Sequence, residues 1–242
     1  MKFIATLRSF IMGLLYLPFL MFMSALCILA NILFSQRKID NAIIQSWGFL
    51  STWWFGVEVE LRGAERLPKE GCVFLFNHTS FFDIFAMTRV IPGLRYGAKI
   101  ELFSIPLFGT AMRRVGILPI ARDNLREVIK VYDDAKVRFK AGEQFALAPE
   151  GTRQETEKLG PFKAGPFLLA LQTQVPVVPV VIRGAAAIMP KGSVFPNSEK
   201  WKSRVIVDVL APIPTLGMSV DQKQELQQKV RAEMELYLRE PI

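Results

Sequence analysis

The sequence predicts an α/β protein: a mixed, mostly parallel sheet flanked by helices, preceded by an N-terminal hydrophobic two-helix membrane motif. Two long uncharged stretches occupy most of residues 1–56. From Val57 onward, short β-type runs alternate with helical patterns, which is the element order of a sheet covered on both faces by helices. Several of these runs are apolar at nearly every position, as expected for strands buried on both sides. We therefore expect a membrane-embedded helical pair in residues 1–56 and one α/β domain in residues 57–242.

The first uncharged stretch is long enough to cross a bilayer. No residue from Ser9 to Gln36 is charged, whereas a membrane-spanning helix needs about 20 apolar residues. Lys2 and Arg8 precede it as in a signal peptide, but the run exceeds the usual apolar core of such a peptide. Pro18 is expected to kink or break this helix.

The second uncharged stretch, Asn41 to Val57, is rich in tryptophan. Trp47, Trp53 and Trp54 are of the kind that favours the membrane–water boundary. Two arrangements fit: a span followed by an interfacial helix, or a helical pair that dips into the membrane and returns. Basic residues flank the first stretch on both sides, so the positive-inside rule does not choose between them. A third possibility is a hydrophobic pair that simply packs on a core.

The remaining elements follow from the alternation of apolar runs and helical patterns. The run 177–182 contains Pro179, which suggests a sheet edge or a bulge at that point. The predicted strands are Val57–Leu61, Cys72–Phe76, Gly116–Ile120, Gln144–Ala148, Val177–Ile182 and Arg204–Leu210. The predicted helices include Phe81–Val90, Asn124–Lys140, Ala164–Leu171 and Val220–Leu238.

Composition narrows the class of function. Of the 242 residues, 51% are hydrophobic and 21% are charged, which excludes a disordered chain. The net charge of +8 suits an anionic partner, such as nucleic acid, an anionic lipid surface or a phosphorylated substrate. The high hydrophobic content favours lipid, and no nucleic-acid partner is expected because the basic residues form no stripe with interleaved aromatics.

Cysteine and histidine are scarce. Cys27 and Cys72 match no disulfide framework, which agrees with a reducing compartment. His78 is the only histidine, so zinc sites built on several His or Cys are excluded and no metal site is expected.

A candidate base follows the predicted strand 72–76. His78 stands at the carboxyl end of that strand, where open α/β sheets place their ligand crevice. Asp83 lies about one turn into the next helix, where it could fold back, fix the imidazole tautomer and leave the other nitrogen as a base. The alternative is a packing or capping histidine with a first-turn acid favoured by the helix dipole. Thr79 or Ser80 is expected to cap the helix.

A candidate phosphate site follows the predicted strand 144–148. Gly151 allows a tight turn there, and Thr152 and Arg153 offer a hydroxyl and a planar fork of donors to a phosphate oxygen. The alternative is a strand-exit turn tied by an ion pair between Glu150 and Arg153. Further basic residues stand near predicted strand ends and could complete a phosphate cradle: Lys99, Arg122 and Lys163.

These residues together resemble the 1-acylglycerol-3-phosphate (lysophosphatidic acid) acyltransferase family, within the glycerolipid acyltransferase superfamily. Four blocks occur in the family's order between about Leu61 and Gly184. One departure is Ala121, where the family often has aspartate. The blocks are His78 with Asp83; Lys99–Leu102 leading to Pro106, Gly109 and Gly116–Arg122; Glu150–Arg153 followed by Phe162–Gly165; and Val175–Pro179.

The resemblance implies a mechanism. His78, oriented by Asp83, would take the proton of the sn-2 hydroxyl of 1-acylglycerol-3-phosphate, and the oxygen would attack an acyl thioester directly, without an acyl-enzyme, giving phosphatidic acid. The donor would be acyl-CoA or acyl carrier protein as co-substrate, with no cofactor or metal. The residues expected to hold the acceptor's phosphate are Glu150, Gly151, Thr152, Arg153, Lys99 and Arg122.

The resemblance also implies a location and leaves alternatives. The helical pair would sit in the cell inner membrane or cytoplasmic membrane, with the catalytic domain on the cytoplasmic side. The alternatives are an acyltransferase for another lysolipid, a noncatalytic protein that binds anionic lipid, and a serine hydrolase using Ser80. No G-x-S-x-G elbow supports the last of these.

Overall fold

A seven-stranded sheet organises the described part of the chain, which in this computed structural model comprises residues 2–121, 125–193, 196 and 201–239. The strands are β1 Val57–Arg62, β2 Cys72–Phe76, β3 Leu94–Lys99, β4 Leu118–Ile120, β5 Gln144–Leu147, β6 Val177–Arg183 and β7 Ser203–Val209. The α-helices are α1 Lys2–Phe34, α2 Arg37–Trp54, α3 Phe82–Val90, α4 Phe108–Arg114, α5 Leu125–Lys140, α6 Gly165–Thr173, α7 Ala185–Ile188 and α8 Lys223–Leu238. Short 3-10 turns cover Ala64–Arg66, Ile100–Ser104 and Val220–Gln222.

The sheet is mixed and mostly parallel, as predicted. Its strand order is β1-β7-β6-β2-β5-β3-β4, and the β6–β7 pair is the antiparallel one. β2 to β6 therefore run in one direction and end at the same edge, which we call the carboxyl edge. The opposite edge, where these five strands begin, is the amino edge.

Successive side chains of the central strands enter two different cores. Phe74 and Phe76 of β2 pack with α3 on one face of the sheet. Val73 and Leu75 pack with α5, α6 and α8 on the other face. Because both faces are covered, every residue of β2 is buried and apolar, which is why the run was recognisable in the sequence.

All six predicted strands are present, with ends shifted by at most two residues. The predicted elements do not include β3, α4 or the four-residue α7. β3 reads Leu-Arg-Tyr-Gly-Ala-Lys, and its buried Arg95 and its Gly97 break the apolar run that marks the other central strands. The predicted start of α5, Asn124, lies outside the described residues.

Pro179 does not mark a sheet edge, but the expected bulge is present in the chain opposite it. β6 lies between β2 and β7, and Pro179 pairs with Leu75 in the parallel ladder. The nitrogen and carbonyl of one strand residue face the same neighbour, and the Pro179 carbonyl accepts the amide of Leu210, just past the end of β7. The β6–β7 register begins one residue later, at Val180. The pairing resumes between Val177 and Ile213 after one extra residue in the chain opposite β6, and the missing N–H falls at this bulge.

The first helix continues through Pro18, so the expected break is absent. Pro18 lies on the exposed face, and its missing N–H removes one helical hydrogen bond out of a 33-residue helix. Thr6–Phe34 is the one helix in the described chain that is long and apolar enough to cross a membrane, with a mean hydropathy of 2.2.

One side of α1 packs against α2 and α4, burying Met23, Ser24, Cys27 and Ala30. The opposite side is apolar and exposed along the length of the helix. It carries Leu7, Phe10, Ile11, Leu14, Leu15, Leu17, Phe22, Leu26, Leu29, Ile32, Leu33 and Phe34.

The second helix is seated directly on α3. A Cβ at Gly48 would lie 2.8 Å from the backbone nitrogen of Arg89, so the helices approach at a distance that only glycine allows. Aromatic rings extend this contact: Trp47 meets Phe85 edge-on at 5.1 Å. Because α3 carries Asp83, a candidate site residue, the packing of α2 on α3 helps to hold Asp83 in position.

Candidate active site

At the carboxyl edge, the residue that follows β2 is hydrogen-bonded to the neighbouring strand β6. The Asn77 side chain donates to the carbonyl of Ile182 at 2.8 Å and accepts the amide of Ile182 at 2.7 Å, so it extends the pairing with β6. The next amide, of His78, donates to Glu150 at 3.0 Å, and the His78 carbonyl accepts the amide of Gln154 at 2.7 Å. Two hydrogen bonds thus hold the backbone of His78, and the residue before it is anchored to β6.

His78 and Asp83 are in contact, as the sequence predicted. Nδ1 of His78 lies 2.8 Å from Oδ2 of Asp83, which also accepts the amides of Thr79 and Ser80, each at 2.8 Å. The Asp83 side chain is 0% exposed and the His78 side chain 12%. A buried carboxylate that gathers three donors favours the tautomer with its proton on Nδ1. In the described part of the chain, Nε2 has no hydrogen-bond partner, so it is available to a ligand.

Ser80 is occupied by structural contacts. Its hydroxyl donates to the carbonyl of Met189 at 2.8 Å and accepts the amide of Phe82 at 3.1 Å. The expected N-cap is only approximate, because Phe81 occupies the cap position and makes no side-chain cap bond. The proton of Ser80 is directed at Met189 rather than at His78, which argues against a serine nucleophile.

The carboxylate of Glu150 points into the protein, so the expectation that it contacts the substrate's phosphate is wrong. Its side chain is almost fully buried; Oε1 accepts the amide of His78, and Oε2 accepts the amide of Gly160 at 2.8 Å. Burial raises the pKa of Glu150, and these two amides partly oppose that effect. Because both carboxylate oxygens accept backbone amides, Glu150 holds His78 and the loop after β5 in position. Gly151, at φ +70°, makes the turn that this placement needs.

Arg153 forms no ion pair with Glu150 or with any other carboxylate of the described residues. Its guanidinium lies over the ring of Phe81 at 4.2 Å, and its Nη1 is buried without a hydrogen-bond partner among those residues. Phe81 stands between His78 and Asp83 in the chain. A cation with an unused buried donor is therefore held against the loop that carries the candidate base, and such a cation is what an anionic ligand requires.

The other predicted phosphate ligands are less closely gathered. Lys99, at the end of β3, shares the carboxyl edge but is exposed and pairs with Glu101 at 3.0 Å. Thr152 and Lys163 are exposed beside the same turn, where Lys163 donates its amide to the carbonyl of Pro149 at 2.7 Å. Arg122 lies outside the described residues.

Sequence reasoning missed three contributors to the site: Asn77, Gln154 and Phe81. An asparagine directly after a strand was a usable signal, since its amide can imitate a peptide group. The parts played by Gln154 and Phe81 depend on where the loop after β5 folds, which no local pattern encodes.

Comparison with known proteins places this site in a family. A family model described as Acyltransferase matches residues 58–183. A chloroplastic 1-acyl-sn-glycerol-3-phosphate acyltransferase of Brassica napus is 35% identical over 160 residues, which cover 65% of this chain and 46% of that protein. The Saccharomyces cerevisiae enzyme of the same name is 34% identical, with 74% and 59% covered. The human beta form is 32% identical, with 81% and 69% covered.

A solved structure shares the whole fold. The crystal structure of the 1-acyl-sn-glycerophosphate acyltransferase PlsC from Thermotoga maritima superposes with a TM-score of 0.80 at 22% identity, covering 98% of this chain and 99% of that one. The chain spans about half the length of the Brassica relative. The region matched by the family model contains both candidate site clusters.

Proposed function

Given that this chain belongs to the acyltransferase family, we propose that it transfers a fatty acyl group from a thioester to the sn-2 hydroxyl of 1-acylglycerol-3-phosphate, yielding phosphatidic acid. The observation that carries this proposal is the oriented His78 with a free Nε2 beside Arg153, whose Nη1 is buried and unpaired. The names of the relatives support the same acceptor.

The imidazole supplies general-base catalysis. Nε2 of His78 removes the proton of the sn-2 hydroxyl as its oxygen attacks the thioester carbonyl. The tetrahedral intermediate then collapses, the carbon–sulfur bond breaks, and the leaving thiolate takes the proton back from the imidazolium. Asp83 stabilises that imidazolium through the 2.8 Å contact. The acyl group passes directly between the two substrates, so no acyl-enzyme forms and no metal or cofactor takes part.

The donor is acyl-CoA or acyl carrier protein. Arg153 binds the acceptor's phosphate. The sn-2 oxygen and the sn-3 phosphate sit on adjacent carbons, so base and phosphate ligand must lie close together. Phe81 lies three residues after the base His78, and its ring contacts the phosphate ligand Arg153, so Phe81 links the two groups. Gly151 makes the turn behind them, while Thr152, Lys99 and Arg122 are candidates for further phosphate contacts.

Replacing Arg153 with alanine should raise the KM for 1-acylglycerol-3-phosphate about 10- to 100-fold, because charge-assisted hydrogen bonds are worth ~1.5–3 kcal/mol. The change in kcat should be smaller, since this binding is common to ground and transition states. Steady-state kinetics with 1-acylglycerol-3-phosphate and with 1-acylglycerol, which lacks the phosphate, measures both effects.

The wild type should prefer the phosphorylated acceptor, and the variant should lose that preference. Lys140→Gln, which removes an exposed cation where α5 ends near the amino edge, is the matched control. An unchanged preference in Arg153→Ala would remove this residue from the phosphate site.

The N-terminal helices hold the domain on the cytoplasmic face of the cell inner or cytoplasmic membrane. The exposed apolar side of α1 supports this placement, and the seating of α2 on α3 keeps the pair next to the catalytic domain. The lysolipid and long acyl chains also partition into membranes, so an enzyme in the leaflet meets its substrates there.

This placement predicts that the turn between α1 and α2 stays on the cytoplasmic side. Gln36 is exposed there and has ordinary extended backbone angles, whereas neighbouring Ser35 has φ +45°. A membrane-impermeant maleimide should therefore leave Gln36→Cys unlabelled in intact cells and label it after cell disruption. The wild type, whose Cys27 and Cys72 are buried, gives the background. Labelling in intact cells would contradict the placement.

A further inference from the structure

A recess at the amino edge of the sheet collects arginines from four separate elements. Arg37 begins α2, Arg95 lies on β3, Arg114 ends α4 and Arg138 lies on α5. Two cavities of about 250 and 210 Å³ share Arg37, Arg95 and Glu143 among their lining residues. We call these four arginines and their joint cavity the arginine recess.

The cations of this recess outnumber its carboxylates. The carboxylate of Glu143 accepts hydrogen bonds from two guanidiniums. Arg138 donates to it at 2.6 and 3.0 Å, and Arg37 donates to it as well. The second lining carboxylate, Asp40, accepts the side-chain amide of Asn31 instead. Among the described lining residues, four positive charges thus face two negative ones, and this excess favours an anion.

Arg95 carries the clearest sign of a missing acceptor. It is only 4% exposed, yet its polar contacts are the neutral oxygen of Asn41, at 2.6 Å, and the carbonyls of Gly93 and Leu94. Its Nε is buried and has no hydrogen-bond partner in the described structure. Glu143 and Asp40 act on Arg95 only from beyond hydrogen-bond distance, and a buried guanidinium without a direct carboxylate contact is costly. An anion in the recess would relieve that cost.

The position of the recess favours an anion attached to apolar chains. Leu33 and Phe34 end the exposed apolar face of α1, and Arg37 follows three residues later, also exposed. We propose that the arginine recess binds the phosphate of an anionic phospholipid whose acyl chains lie along the end of α1. The site is separate from the catalytic one: Gln144 lines the recess and begins β5 at the amino edge, whereas Glu150 follows the end of β5 at the carboxyl edge.

Thermal unfolding of the purified full chain in neutral detergent micelles tests this site. Short-chain phosphatidylglycerol should raise the unfolding midpoint in a saturable way, because a ligand that binds only the folded state stabilises it. Short-chain phosphatidylcholine should not. Inorganic phosphate should give a weaker response, since it has no chains to lie along α1.

Variants separate the recess from general charge and from the catalytic site. The double variant Arg37→Gln/Arg114→Gln, at two exposed positions, should weaken phosphatidylglycerol binding at least about tenfold, the equivalent of one lost charge-assisted hydrogen bond. Lys38→Gln removes the same charge one residue from Arg37 but outside the recess, and should bind as the wild type does. Arg153→Gln should also bind normally.

Arg95→Lys keeps the charge but loses the planar fork, so it should weaken binding too and gives a second route if the double variant is unstable. Equal binding by wild type and both recess variants would overturn the proposal. So would loss of binding in Arg153→Gln, which would place the lipid at the catalytic site. An equal response to inorganic phosphate would overturn the lipid assignment.

Discussion

Replacing His78 with alanine is expected to lower kcat for acyl transfer about 100- to 10,000-fold, the usual contribution of a positioned general base. His78 is the only histidine in the chain, so no second imidazole can take over. Its Nε2 is the nitrogen left free by the contact with Asp83. The residual rate should come from substrate positioning alone.

The same variant should keep its fold. The hydrogen bonds from the His78 backbone to Glu150 and Gln154 do not involve the imidazole. Circular dichroism and the thermal midpoint check this point, and the KM for the lysolipid should change little because Arg153 is intact. A folded His78→Ala protein with normal kcat would exclude the imidazole as the base.

The second large effect is expected at Asp83, where two substitutions should fail in different ways. Asparagine keeps an oxygen for Nδ1 of His78 and for the amides of Thr79 and Ser80, but it removes the charge that stabilises the imidazolium. Its NH2 would then occupy the place of Oδ1, which is buried without a partner. We expect a folded protein with kcat lowered on the order of 100-fold or more, within the range of general-base effects.

Alanine at position 83 should damage the fold as well. It leaves the buried amides of Thr79 and Ser80 without an acceptor, at about 1–3 kcal/mol for each unsatisfied group. Chemical denaturation measures this loss, and steady-state kinetics measures the catalytic one. Equal stability of Asp83→Asn and Asp83→Ala would show that the three-donor arrangement does not hold the loop. Normal kcat in Asp83→Asn would remove the carboxylate from catalysis.

The sheet could be predicted because its central strands are buried on both faces. β2 is an unbroken apolar run and β6 a nearly continuous one for that reason, and the alternation of strands with helices indicated the parallel arrangement. β3 was not predicted because a buried arginine and a glycine interrupt its run of apolar residues. The depth of Arg95 is set by α2 and by the loop before β5, and a pattern within one strand does not contain that information.

The candidate site was predictable in part for a similar reason. The spacing of His78 and Asp83 around a strand–helix junction determines their meeting, because both lie on one local segment. Glu150 was misjudged because its residue type and neighbours do not reveal which way its carboxylate points. Its direction depends on the amides of His78 and Gly160, one of them on a different strand–loop junction.

Two prolines stand within regular elements, where the sequence predicts a break or a sheet edge that the structure does not show. Pro18 and Pro179 each remove a hydrogen-bond donor, which as a rule ends a helix or excludes an inner strand. Both are tolerated because the loss is confined to one bond: within a long helix for Pro18, and at a bulge beside the β6–β7 ladder for Pro179. Sequence alone does not show where a ladder stops.

One assay addresses the central claim, that this chain transfers an acyl group from a thioester to a lysolipid with His78 as the base. Purified protein in detergent is given palmitoyl-CoA with or without 1-acylglycerol-3-phosphate, and the release of free thiol is followed for wild type and His78→Ala. The variant also serves as the blank for the thiols of Cys27 and Cys72. Thiol release that requires both the lysolipid and His78 is the predicted result. Release that is independent of the lysolipid, or equal in the two proteins, would contradict the account.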